Sequence, residues 1–176
     1  MTQTPKFSNA ALRKVGSGWT LSGIYAWRSG SYLTILSGID NSLTGFASQR
    51  ANQINSDVFG ANHGLSCPAG GAAGSCVSWL SSAAFTPVGQ MTPGQLGNMN
   101  AYNVLGPAYW QLDLALSRDF RVREGHTLQV RGEAFNILNG VRLNNPAVTV
   151  AASTTFGKIL SAQDPRIVQL AMKYVF

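Results

Sequence analysis

From Tyr109 to Val122 large apolar side chains recur at almost every second position. Trp110, Leu112, Leu114, Leu116, Arg118, Phe120 and Val122 fall on one face of an extended chain. Tyr109, Gln111, Asp113, Ala115, Ser117, Asp119 and Arg121 fall on the other, because successive side chains of a strand point to opposite sides. Trp110 and Phe120 stand ten residues apart on the apolar face, a span of ~33 Å at ~3.3 Å per residue. Tilted by ~40°, that span projects to ~25 Å, the height of the lipid-facing band of a membrane β-barrel. A strand in a soluble sandwich needs neither that length nor aromatics at both ends of one face.

Three further segments carry the same period. Trp19, Leu21, Gly23, Tyr25 and Trp27 share a face opposite Thr20, Ser22, Ile24, Ala26 and Arg28; Gly30 marks a bend or bulge, and extended chain continues to Ser37. After Arg123-Glu124-Gly125 the chain turns back. Leu128, Val130, Gly132 and Ala134 then oppose Gln129, Arg131, Glu133 and Phe135. Residues facing each other across a hairpin must share a face, so a three-residue loop ending in Gly125 is expected. That register sets Val122 opposite His126, Ser117 opposite Arg131 and Ala115 opposite Glu133, with Asp119 diagonal to Arg131 and able to pair with it. The last segment places Val168, Leu170, Met172, Tyr174 and Phe176 on one side, and Ile167, Gln169, Ala171, Lys173 and Val175 on the other. The fold class that follows is all-β: an antiparallel meander of four long transmembrane strands, 19–37, 108–122, 126–138 and 166–176. Trp19, Trp27, Trp110 and Phe120 are its aromatic girdle, and Asp113, Asp119, Arg131, Glu133 and Lys173 line its polar, lumen side.

Composition agrees. Only 11% of the 176 residues are charged, against roughly 25% in average globular domains. No window approaches the ~18 unbroken apolar residues of a transmembrane helix. The net charge of +6 invites a nucleic-acid reading, but the basic residues are scattered, and Arg118, Arg121 and Arg123 are the nearest thing to a cluster. No nucleic-acid partner is expected.

Residues 38–107 hold most of the glycines and little periodicity. Seventy such residues are unusual inside a compact domain and ordinary as a large loop; within them 77–85 is expected to form a short helical turn or strand. A second loop spans 139–165. Cys67 and Cys76 are the only cysteines. Closing a short Gly-rich loop, they read as a disulfide worth on the order of 2–3 kcal/mol. A metal site is disfavoured, because only His63 lies nearby and the spacing is not Cys-x-x-Cys. With His63 in a loop, His126 opening a strand and no nucleophile elbow in the sequence, no enzyme is expected. No cofactor is expected either.

Several pieces together resemble the C-terminal end of TonB-dependent outer-membrane receptors, especially the Oar-like group that carries an N-terminal carboxypeptidase-regulatory-like domain. They are Gly18 to Ile24, Arg28-Ser-Gly30, Asn98 to Pro107, Tyr109 to Leu114, Arg131-Gly-Glu-Ala-Phe-Asn-Ile-Leu-Asn139, Phe156-Gly157 and Asp164-Pro-Arg166. The terminal Phe176, with Val168, Leu170, Met172 and Tyr174 at alternate positions before it, resembles the signal by which the barrel-assembly machinery recognises its clients.

The resemblance implies a large outer-membrane barrel in a Gram-negative bacterium. Residues 1–176 would form its last part, with loops 38–107 and 139–165 extracellular and the turns at 14–18 and 123–125 periplasmic. In such receptors a barrel of about twenty-two strands encloses a plug. TonB opens the plug to import a ligand such as a siderophore, glycan or peptide. The implied partners are outer-membrane lipid, the assembly machinery, the TonB complex through an N-terminal part, and an unidentified ligand. The opening Met-Thr-Gln-Thr-Pro-Lys has no apolar h-region of a signal peptide, and four strands are too few to close, since small membrane barrels need about eight. A preceding part is therefore expected. The competing reading is a small β-rich surface adhesin or glycan-binding module, soluble or closing as an oligomer.

Overall fold

The computed structural model describes residues 2–3, 8, 16–60 and 77–176. Its strands are β1 (Thr2–Gln3), β2 (Thr20–Arg28), β3 (Tyr32–Leu33), β4 (Val77–Ser78), β5 (Val104–Leu105), β6 (Tyr109–Arg123), β7 (His126–Phe135), β8 (Lys158–Ile159) and β9 (Ile167–Val175). Every pairing between them is antiparallel. They belong to two compact units, one from 1–28, 109–142 and 164–176, the other from 29–108 and 143–163. No helix among the described residues is long and apolar enough to cross a membrane.

The first unit is one five-stranded sheet in the order β1-β2-β6-β7-β9. Its register carries like faces onto like faces. Gly23, Leu114, Ala134 and Val168 form one row across four strands, and Leu21, Leu116, Gly132 and Leu170 form the next. On the opposite face, Ser22, Ala115, Glu133 and Gln169 are aligned in the same way. A slip of one residue at any pairing would exchange the two faces, so the alternation itself fixes the register. Among the described residues the sheet is open, with β1 and β9 at its edges.

Four details depart from the sequence expectations. The strand expected over 126–138 ends at Phe135. The sheet has a fifth strand, Thr2–Gln3, paired to Leu21 and Thr20. The strand expected over 19–37 ends at Arg28. At Gly30 a Cβ would stand 1.8 Å from the carbonyl oxygen of Gly106; only glycine permits that approach. There Gly106 donates its N–H to Ser31 O at 2.8 Å, and the chain goes on to pair Tyr32 with Leu105 and Leu33 with Val104. The β6–β7 hairpin also differs at its tip. Arg123, not Val122, lies opposite His126, and the register shifts by a bulge between Arg121 and Arg123. Glu124 and Gly125 make the turn, with Gly125 at φ 75°. The bulge absorbs the one-residue mismatch of the tighter turn. Farther along, Ser117 faces Arg131 and Ala115 faces Glu133, as expected.

The second unit corrects the picture of 38–107 as a loop without organisation of its own. Ile35, Ala51, Val58, Leu80, Ala84, Phe85, Met99, Val104 and Phe156 form a buried apolar cluster. Phe85 and Phe156 meet edge to face, 5.4 Å between centroids at 87°, a favoured aromatic geometry. The paired strands here are two residues long, β3 with β5 and β4 with β8. Segment 77–85 supplies both a strand and a 3-10 turn, Ser82–Ala84. Between these, single bridges such as Leu36 to Arg50 and Phe59 to Leu80 hold the segments together. Buried polar groups are matched, as the cost of leaving them unpaired requires. Ser37 N–H donates to Gln49 O at 2.7 Å, and the Asn41 amide donates to Thr92 O at 2.6 Å and Gln95 O at 2.8 Å.

Candidate functional site

The broadest candidate is the apolar face of the sheet. Val168, Leu170, Met172, Tyr174 and Phe176 lie along or just beyond β9, with Leu170 84% and Phe176 89% exposed. Among the described residues nothing covers them, and apolar area of this extent is a surface for lipid or for another strand. Trp27 sits opposite Trp110 at one end of the sheet. Toward the other end Trp19 meets Phe120 edge to face at 6.3 Å, and Tyr174 lies 6.2 Å from the Phe176 ring. Tyr174 also shares a 2.8 Å hydrogen bond with His126 Nδ1. The four aromatics expected to form a girdle thus fall in two groups separated along the strands. Arg118 falls on this apolar face, with its guanidinium 4.4 Å from the Phe120 ring and 5.8 Å from that of Trp19. Ring faces attract such a cation and let its aliphatic stem lie on apolar surface.

The polar face carries the residues expected to line a lumen, but pairs them differently from the sequence expectation. Asp119 accepts from the Gln129 amide at 2.9 Å, not from Arg131. Arg131 forms its ion pair with Glu133 on the same strand, because residues two apart on a strand share a face. Glu133 also accepts from the Gln169 amide at 2.9 Å. Lys173 lies opposite Gln129 on β9.

Asp113 has a local task. One carboxylate oxygen accepts from the Gln111 amide at 2.5 Å and from the backbone N–H of Asn136 at 2.8 Å. Asn136 is 1% exposed and left-handed at φ 51°, a conformation that Asn tolerates better than most residues. Its side chain bridges the turn, donating to Gly140 O and accepting from Gly140 N–H, each at 3.0 Å. Asn139, also at φ 51°, accepts the backbone N–H of Arg166 at 3.1 Å, and the Arg166 guanidinium donates to Ile137 O at 3.2 Å. The turn leaving β7 and the chain entering β9 are thereby tied together. The Asn-Ile-Leu-Asn and Asp-Pro-Arg pieces therefore have a structural reason for their residue types, which the sequence reading missed. Asn-x-x-Asn-Gly at a strand end was the available signal.

Beside this turn, Arg142 donates to the Gln111 side chain and to the backbone carbonyl of Asp164. Tyr109 donates its hydroxyl to Gln111 Oε1 at 2.5 Å. The Arg28 guanidinium lies 4.8 Å from the Tyr109 ring, and that of Arg142 lies 5.8 Å from it. Both cations lie at the end of the sheet where β2 finishes and β6 begins.

In the second unit, partial burial pushes the Asp40 carboxyl up. The N–H groups of Thr44 and Gly45 and the Gln49 amide outweigh that and hold it below its usual 3.8. Thr44 N–H is 2.9 Å and Gly45 N–H 2.6 Å from its oxygens. Cys67, Cys76 and His63 lie outside the described residues. Among the described residues, no group of three or more His, Cys, Asp or Glu gathers to hold a metal.

A family model described as "Outer membrane beta barrel domain" matches residues 1–169. No curated protein and no solved structure matches the chain significantly.

Proposed function

We propose, for a chain that belongs to the outer membrane β-barrel domain family, that it serves as barrel wall in a TonB-dependent receptor importing a ligand across the outer membrane. The chain is an outer-membrane, all-β protein. The family describes an outer-membrane β-barrel and no more, so the finer reading rests on the sequence resemblance and on what its motifs do. The supporting observation is their convergence on one turn: Asp113, Asn136, Asn139 and Arg166 come from three of the resembling pieces and hydrogen-bond around the β7–β9 connection.

In this reading the apolar face meets lipid, the polar face looks into the lumen, and 29–108 and 143–163 are exposed to the medium. Phe176 and the residues alternating before it engage the assembly machinery. The reading assigns binding and passage, and no enzymatic step.

The test is cross-linking in living cells of the native source, with an antibody raised against residues 77–108. A cross-linked species carrying both this epitope and TonB is the expected result. A chain that reaches the outer membrane but never cross-links to TonB, while a known receptor in the same cells does, would refute the receptor reading. It would favour the surface-binding module instead.

A further inference from the structure

We propose that the second unit binds a neutral saccharide unit in the pocket formed by Asn41, Asn52, Thr86, Gln90, Thr92 and Gln95. The cavity is about 140 Å³, below the ~300 Å³ at which drug-sized sites begin, so it admits one small ring rather than an extended ligand. Its remaining lining side chains are Met91 and Leu96. Among the described residues no Asp, Glu, Lys, Arg or His lines it. An ion would find no opposite charge there, and an apolar ligand would strand the amides without partners.

The polar groups are of two kinds. Some are already fixed: the Asn41 amide on Thr92 O and Gln95 O at 2.6 and 2.8 Å, and the Asn52 amide on Thr86 Oγ1 at 2.8 Å. Asn41 is only 8% exposed, so this part of the wall is rigid before any ligand arrives. Others are free: among the described residues the side chains of Gln90, Thr92 and Gln95 make no hydrogen bond. Amides and hydroxyls offer donors and acceptors together, which matches sugar hydroxyls, each of them both donor and acceptor. A peptide backbone fits less well, because Asn41 already occupies the carbonyls of Thr92 and Gln95 that an added strand would need.

The inference rests on the reading above in one respect, that 29–108 is exposed to the medium. The experiment is saturation-transfer NMR on the full-length protein, purified from outer membranes in an amine-oxide detergent free of sugar. The probes are glucose, galactose, mannose, N-acetylglucosamine and maltose, with triglycine amide as the peptide probe. Transfer to ring protons of at least one saccharide is expected, weakened about tenfold in Gln90→Ala/Gln95→Ala through the loss of two hydrogen-bonding groups. Thr92→Val, which keeps the side-chain shape, is expected to weaken it as well. Silence from every saccharide would overturn the proposal. So would transfer undiminished in both variants, or displacement of the bound saccharide by triglycine amide. Saccharide binding without TonB cross-linking would leave the pocket standing and remove the receptor reading; the reverse pattern would do the opposite.

Discussion

Asp113 accepts the backbone N–H of Asn136 at 2.8 Å, so a carboxylate on the polar face of β6 holds the turn that ends β7. The Asn136 side chain adds two bonds to Gly140 from a buried, left-handed position. Asn136→Ala removes both bonds and places a less tolerant residue at positive φ. At about 1 kcal/mol per bond and 1–2 kcal/mol for the backbone, a loss of about 3 kcal/mol is expected. Urea unfolding of the full-length protein in bilayers measures it. A change below about 0.5 kcal/mol would show that the turn is held elsewhere.

Leu114 lies mid-strand in the row Gly23, Leu114, Ala134 and Val168. If that row faces hydrocarbon, Leu114→Arg costs roughly 2–4 kcal/mol, whereas Ala115→Arg, on the opposite face, costs much less. Equal effects on folding into lipid vesicles would mean that the faces are assigned wrongly.

Phe85 is 1% exposed against Phe156. Phe85→Ala is expected to cost about 3–5 kcal/mol. The damage should stay in the second unit: proteolysis within 29–108 becomes fast, while the unheated barrel keeps its shifted mobility on a gel. Loss of both together would show the two units folding as one.

The Asp40 carboxyl titrates below 3.8 when folded. Its contribution is therefore complete above the unfolded value and fades as pH falls through the folded one, below about pH 4. Hydrogen exchange of the Thr44 and Gly45 amides, corrected for intrinsic rate, should quicken across that range. In Asp40→Asn the transition should vanish. Persistence of the transition in that variant would assign it to another group.

Phe176 is 89% exposed and sits one residue beyond β9. Deleting it removes few internal contacts, so the refolded protein should keep its stability while the amount assembled in cells drops several-fold. A normal cellular level with lowered stability would give Phe176 a packing role instead.

The long strands were legible because β6, β7 and β9 sustain a two-residue period over nine residues or more, each with one face mostly apolar and the other mixed or polar. The core of the second unit was hidden for the converse reason. Its strands are two residues long, and Phe85 and Phe156, which meet at its centre, are 71 positions apart in the chain. No local period can report such a pairing. The partner of Arg131 was misassigned because a diagonal across strands competed with a neighbour two residues along the same strand, and the shorter reach to Glu133 prevailed. Near the turn, the bulge at Val122 could not be read from alternation, since a tighter turn plus one extra residue leaves the distant register unchanged.

The pairing of Arg131 with Glu133, of Asp119 with Gln129, and of Asp113 with Gln111 and Asn136 has a consequence for the electrostatics of the polar face. Only the first of these joins opposite charges; the other two orient a carboxylate with neutral donors and leave its charge in place. The face is therefore fixed in geometry at all three places and neutralised at one, so its local field is set by where these carboxylates are held and not by their cancellation.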